Sequence, residues 1–224
     1  MYDSKKFVPK FFDRTSSSYD KVVAYCTFGK DKHWKNKIIK YIRDGNSFLD
    51  LACGTGILTR IIAKKFPKSS VVGVDITQGY LELAKKKSFA CKNISYLLED
   101  AETIDLLKKF DYITASYLPK YCDPAILVNR CILHLKPNGT IILHDFTYPQ
   151  NYFVKAFWNM YFVVLNFIGC FIPPWKEAFA NLPKLIKSSN WVAIYEDEMK
   201  KNGFEVTRLT LTRGTSAILI AKRT

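Results

Sequence analysis

A chain of 224 residues, 48% of them hydrophobic and 15% aromatic, can bury a full core and is too apolar for a disordered segment. Its 34 Lys and Arg outnumber 20 Asp and Glu, and the formal charge of +14 suits an anionic partner such as nucleic acid or an acidic membrane, although the lysines form no single block. Six cysteines without any C-x-x-C pair argue against a zinc site and a disulfide scaffold; no metal is expected, and a reducing cytoplasmic setting is the natural reading.

Met1 to Phe12 has lysines where a secretory signal would need a continuous apolar stretch. Residues 1 to 20, with the run Ser16-Ser17-Ser18, have weak helical character and read as an arm that folds over something else. Trp34, Ile38, Ile39 and Ile42 then recur at helical spacing, which predicts an amphipathic helix from about Asp31 to Arg43, ended by Asp44-Gly45-Asn46. After it, strands and helices alternate: strand 47–52, helix 56–66, strand 70–75, helix 79–88, strand 94–98, a short helix near 103–108, strand 110–116, helix 124–135 and strand 139–146. Runs such as Thr140-Ile141-Ile142-Leu143 are what strands covered on both faces look like, so a parallel sheet between helices is expected. Lys136-Pro137-Asn138-Gly139 marks a turn before the fifth strand.

An insertion follows, and its central stretch from Phe157 to Trp175 carries no charge. Asn159, Asn166, Gly169 and Pro173-Pro174 make it a poor membrane span, so a buried or interfacial helix is expected, as core, as a lid, or as a contact with a membrane surface. The rhythm ends with a helix near 193–202, a strand from Phe204 to Leu211, a turn at Arg213-Gly214 and a strand from Ser216, which together give a β-hairpin. No repeat or linker divides the chain. One domain is expected, with the arm and first helix at 1–46, a core at 47–147, the insertion at 148–192 and the closing helix and hairpin at 193–224.

The chemistry gathers at three strand ends. Phe48-Leu49-Asp50-Leu51-Ala52-Cys53-Gly54-Thr55-Gly56 is a buried strand, an acid and a glycine turn that opens a helix, which presents backbone N–H groups at the carboxyl edge of the sheet. The third glycine of a G-x-G-x-x-G nicotinamide site is missing, and Asp50 is better placed for an ammonium group than for a pyrophosphate. Asp75, closing Val71-Val72-Gly73-Val74, offers an acceptor for a ribose diol. Asp100, next to the Ala101 N–H, is spaced to meet an adenine amino group. Together they favour S-adenosylmethionine.

Further motifs extend the pattern: Phe12-Asp13, Tyr19-Asp20, Thr27-Phe28-Gly29, Trp34-Lys35, Leu49-Asp50-Leu51-Ala52-Cys53-Gly54-Thr55-Gly56, Asp100-Ala101-Glu102, Phe110-Asp111-Tyr112-Ile113-Thr114-Ala115-Ser116, Leu135-Lys136-Pro137-Asn138-Gly139 and Leu211-Thr212-Arg213-Gly214. Over nearly its whole length the chain resembles the ubiquinone/menaquinone biosynthesis C-methyltransferase family. The resemblance implies an α/β fold of the class I methyltransferase kind: a Rossmann-like, seven-stranded, mostly parallel sheet with helices on both faces, a C-terminal antiparallel hairpin and a helical insertion after strand five. It implies cofactor contacts from Thr55, Asp75, Asp100, Ala101 and Ser116, with Asp50, Gly54, Gly56 and Ile76 completing the cradle.

Where the family has Phe-Gly-x-Arg-Asn after strand four, this chain has Tyr117-Leu118-Pro119-Lys120-Tyr121, and Asp31-Lys32 replaces the family's His-Arg. The expected reaction is methyl transfer to an apolar aromatic acceptor, a prenylated quinol first of all, with Tyr19, Lys120 and Tyr121 on the acceptor side. An ordinary lysine titrates at about 10.4, so Lys120 suits phenolate stabilisation better than proton removal. Phe153, Phe157, Trp158, Tyr161, Phe162 and Trp175 offer a route for a lipid tail, and the positive surface offers peripheral contact with anionic headgroups. Amination of a quinone, as in rhodoquinone synthesis, and a non-catalytic scaffold stay open as alternatives. RNA methylation ranks last, because the aromatics are not interleaved with basic residues as a base-stacking surface requires.

Overall fold

The computed structural model describes residues 15–223, so the Phe12-Asp13 motif and the reading of Met1 to Phe12 lie outside the described residues. Helices α1 (Tyr19–Cys26) and α2 (Lys30–Lys40) precede strand β1 (Ser47–Leu51). Then come α3 (Ile57–Lys65), β2 (Ser70–Asp75), α4 (Gln78–Lys87), β3 (Ile94–Leu98), β4 (Phe110–Ser116), α5 (Pro124–His134) and β5 (Leu135–Phe146). The insertion forms α6 (Tyr152–Gly169) and α7 (Pro173–Ser189), and α8 (Trp191–Lys201), β6 (Phe204–Leu211) and β7 (Ser216–Arg223) close the described chain.

The seven strands lie in the order β3-β2-β1-β4-β5-β7-β6. Strands β1 to β5 pair in parallel, and β7 runs antiparallel between β5 and β6. Alternation along β1 explains the two layers of helices. Phe48 faces a core shared with Ile38 of α2, Ile42 just after it and Ile62 of α3, whereas Leu49 and Leu51 face a second core containing Val128 of α5 and Tyr195 of α8. Every residue of β1 is buried, as a central strand covered on both faces must be.

Three local expectations are corrected. The segment 103–108 is an irregular loop and not a helix, because the Leu106 N–H donates to His134 Nε2 at 2.9 Å instead of to a preceding carbonyl. Helix α1, which starts at the end of the arm, is an element the sequence did not announce, and it is held by tertiary partners: Tyr161 donates to the Cys26 carbonyl at 2.5 Å and Trp175 Nε1 donates to Ser18 Oγ at 3.0 Å. Strand β5 begins earlier than expected, at Leu135, which pairs with Phe110; the next pair is Tyr112 with Thr140. The intervening Lys136-Pro137-Asn138-Gly139 bulges out, with Asn138 at φ 59°.

The insertion is two helices with their own apolar cluster. Trp158, Phe162 and Leu165 of α6 pack with Trp175, Phe179 and Ile186 of α7, and Tyr19, Val22 and Cys26 of α1 join them. Helix α1 and the α6–α7 pair thus form a roof over the carboxyl ends of the strands.

Candidate active site

The strand order reverses between β1 and β4, with β2 beside one and β5 beside the other, and such a reversal opens a crevice at the carboxyl edge of a parallel sheet. A cavity of about 1100 Å³ begins there and runs under the roof, and most of its lining is apolar. Its floor includes Gly54, Asp75, Ile76, Asp100, Ala101 and Ser116, and Tyr19, Lys120 and Tyr121 line it as well. Asp50 and Thr55 border a smaller adjoining hollow under the same turn, with Gly54, Ser116 and Tyr117 shared between the two. Gly56 lines neither.

Backbone geometry explains the glycine turn. Ala52, Gly54 and Gly56 all have φ between 51° and 76°, in the left-handed region. At Gly56 a Cβ would lie 2.5 Å from the Tyr96 hydroxyl and 3.2 Å from Ala84 Cβ, so only glycine lets α3 start this close to β3 and α4. Asp75 secures the turn from the neighbouring strand: Oδ2 accepts from the Gly54 N–H at 2.8 Å and Oδ1 from the Thr77 N–H at 2.9 Å. Asp100 Oδ1 accepts from the Glu102 N–H at 2.9 Å, which fixes the carboxylate at the end of β3. Thr55 Oγ1 donates to Asp20 of α1 at 2.6 Å, and Lys87 pairs with the other Asp20 oxygen at 2.5 Å. The arm is therefore fastened to the turn.

Asp50 is 1% exposed, and its two oxygens accept from Thr59 Oγ1 at 2.6 Å and Thr114 Oγ1 at 2.7 Å. Burial pushes its carboxyl up to about 6, against the lowering effect of these hydroxyls.

Elsewhere along the cavity wall, Lys120 Nζ is held by Asp145 Oδ1 and the Tyr117 carbonyl, both at 2.8 Å. Both side chains of the pair are buried, 2% and 0% exposed, and burial lowers the Lys120 ammonium below its ordinary range while Asp145 pulls it back up. The ammonium lies 4.4 Å from the centre of the Tyr121 ring. Tyr19 packs between Tyr80 and Trp175, with ring centres 5.0 and 6.2 Å away, and burial followed by the charge of Asp31 raises its phenol well above the ordinary range.

Sequence reasoning missed a polar network beneath this surface. The Tyr117 hydroxyl donates to Asp31 Oδ1 at 2.7 Å, and Lys35 pairs with the same buried carboxylate. Tyr117 holds φ 68°, a strained conformation for an aromatic residue, and stacks on Phe146 at 4.8 Å. His144 bridges Ser116 Oγ at 2.8 Å and Ser216 Oγ at 2.9 Å, and burial drops its imidazole well below the usual range, so the ring is neutral. The available signals were Asp31 as a departure from the family and His144-Asp145 as a polar pair ending an apolar strand.

The geometry agrees with what the chain resembles. A family model described as the ubiE/COQ5 methyltransferase family matches residues 1–223. The chain is 30% identical over 205 residues to a demethylmenaquinone methyltransferase of Lactococcus lactis, covering 88% of this chain and 81% of that protein. It is 29% identical over 231 residues to a demethylmenaquinone methyltransferase of Lactobacillus johnsonii, covering 98% and 94%. Among solved structures, magnesium protoporphyrin IX methyltransferase from Synechocystis superimposes with a TM-score of 0.70 at 18% identity, covering 98% of this chain and all of that one, and it shares the fold. A match over nearly the whole length, on a sheet of the class I methyltransferase order, places this chain in the ubiE/COQ5 family of methyltransferases.

Proposed function

We propose that this methyltransferase acts on a ring carbon of a prenylated quinol. The observation that carries the reading is the cavity itself, which joins a polar cradle at the strand ends to an apolar tunnel under α6 and α7. S-adenosylmethionine is the cofactor, and its sulfonium makes the methyl carbon electrophilic. The cradle suits it: Ala52 and Gly54 turn the backbone through the left-handed region at the cavity floor, and the carboxylates of Asp75 and Asp100 border that floor. In this reading Asp75, at the end of β2 and on the cavity floor, holds the ribose diol. Asp100 and the Ala101 N–H meet the adenine edge, with Ile76 against the base. Asp50, Gly54, Thr55 and Ser116 surround the amino-acid end, and Gly56 shapes the turn from behind, against Tyr96 and Ala84.

The chain's own contribution to transfer is alignment, water exclusion and charge control. Tyr19 and Tyr121 border the acceptor ring, and the hydroxyl of either can hydrogen-bond a quinol oxygen and steady it as it ionises. Lys120 works as a positioning residue: its ammonium ties Asp145 to the Tyr117 carbonyl and so fixes the turn that carries Tyr121. Amination and a non-catalytic scaffold gain no support from the relatives above, which are named as methyltransferases.

The test is an acceptor series with labelled cofactor: one quinol ring with and without a prenyl tail. Transfer that rises with the tail supports the reading. Equal transfer to the bare ring, or transfer only to water-soluble phenols, overturns it.

A further inference from the structure

Helix α6 is apolar on both faces, Lys155, Asn159 and Asn166 apart. Its inner face, Trp158, Phe162 and Leu165, is buried in the roof cluster, as a folded helix requires. The outer face is not. Phe153, Phe157, Met160, Val164 and Phe167 recur at three- and four-residue spacing and stand 48 to 72% exposed, and Phe171 continues the line at 73%. Phe28, 79% exposed, joins this surface from the end of α1 through its ring contact with Tyr161 at 5.8 Å. A contiguous aromatic stripe of this length on a water-facing helix marks a contact surface.

Two observations say what covers it. The first is where the cavity opens: Phe28, Phe157, Met160 and Val164 are exposed and also line the cavity, so the stripe frames its mouth. A folded partner seated on the stripe would close that mouth, whereas a lipid surface would open the cavity onto the phase in which a prenyl tail dissolves. The second is charge. The stretch from Ala156 to Trp175 has no ionisable Asp, Glu, Lys or Arg, and around it residues 152–190 carry Lys155, Lys176, Lys184 and Lys187 against the single acid Glu177. Lys30 and Lys184 are exposed and line the cavity. An apolar stripe bordered by lysines on a chain of charge +14 complements the interface of an anionic bilayer. Among the described residues no helix is long and apolar enough to cross a membrane, so α6 is suited to lie along the surface.

We infer that the outer face of α6, with Phe28 and Phe171, docks this enzyme on an anionic lipid bilayer and that the acceptor enters the cavity directly from the bilayer between α1 and α6. The entry route rests on the prenylated-quinol reading above; the docking surface does not.

Flotation of the full chain with vesicles tests it, comparing phosphatidylcholine alone with phosphatidylcholine mixed with phosphatidylglycerol. The expected result is binding to the mixed vesicles that salt weakens, and a loss of at least about tenfold in Phe167→Glu/Phe171→Glu, since two large apolar side chains no longer insert. Neither residue lines the cavity, and Leu107→Glu, at a fully exposed position off the roof, keeps wild-type binding. Calorimetry with S-adenosylhomocysteine checks that each variant keeps its cradle. If the docking variant also loses activity on a long-chain quinol in vesicles but keeps it on a short-chain soluble quinol, entry from the bilayer is supported. Equal loss on both overturns that route. Absence of wild-type flotation, or equal flotation of the docking variant, overturns the surface. So does a vesicle-free dimer that the docking variant splits, because the stripe would then be a contact between copies. Failure of methyl transfer to any quinol while flotation holds would sink the function reading and leave the surface standing.

Discussion

The indole of Trp34 donates to Thr212 Oγ1 across 2.8 Å, joining two residues 178 positions apart in the chain. One lies on α2 and the other in the turn between β6 and β7, and Thr212 also lines the cavity. The two family-like motifs Trp34-Lys35 and Leu211-Thr212-Arg213-Gly214 are thus one structural feature, a clasp between the first helices and the hairpin.

Removing the clasp without removing the ring isolates it. Thr212→Val is expected to cost about 1 kcal/mol, the usual net worth of one partly buried hydrogen bond, and to lower Tm by about 2–4 °C for a chain of this size. Thermal unfolding followed by circular dichroism checks it; an unchanged Tm would show that the bond contributes nothing.

Burial of Asp50 gives stability a defined dependence on pH. Its folded-state carboxyl titrates at about 6 against an ordinary 3.8, so the folded protein binds this proton more tightly than the unfolded chain does. Asp50 therefore opposes folding above about pH 6, by about 3 kcal/mol, and the opposition fades as pH falls toward about 4. Asp50→Asn, which keeps an oxygen for one threonine and an amide for the other, is expected to raise ligand-free stability at pH 7 and to flatten this part of the profile. Urea unfolding at several pH values decides it. A less stable Asn variant with an unchanged slope would contradict the assignment.

The Lys120–Asp145 pair is fully buried, and such pairs punish the loss of one member. Lys120→Met is expected to destabilise by about 3–5 kcal/mol, by leaving the Asp145 carboxyl without its countercharge. Lys120→Met/Asp145→Leu should recover much of that loss. If the double variant is stable, its KM and kcat report on positioning: a placed Tyr121 with unaltered kcat would exclude any role for Lys120 in ordering the acceptor turn.

Gly56→Ala sets a side chain against Tyr96 in a left-handed backbone. A cost of about 1–3 kcal/mol is expected from strain alone, with the clash added. Tyr96→Phe removes the hydroxyl that the new Cβ would meet, so Gly56→Ala/Tyr96→Phe should be less destabilised than the sum of the two single changes. Additivity would show that Tyr96 gives way freely.

Much of the fold is legible because buried strands and their carboxyl-end acids leave strong local signals. Thr140-Ile141-Ile142-Leu143 reads as a strand covered on both faces, Asp75 and Asp100 end or follow such strands, and Asp50 stands one residue before the end of β1. What is not legible depends on distant partners. Nothing local in residues 103–108 announces that His134 takes the Leu106 N–H, and nothing in Ser16 to Cys26 announces that Tyr161 and Trp175 will hold α1. Helix α6 hides for another reason: apolar on both faces, it has no periodicity to show which side is buried. The polar network beneath the cavity is the least legible part. Tyr117 and Asp31 stand 86 residues apart and meet only through the fold.

Methyl transfer from an isotopically labelled S-adenosylmethionine to a prenylated quinol, with the product resolved by NMR, tests the central claim most directly. The account predicts one labelled methyl group on a ring carbon. A protein that binds S-adenosylhomocysteine yet places no label on any prenylated quinol, or places it only on oxygen, would contradict it.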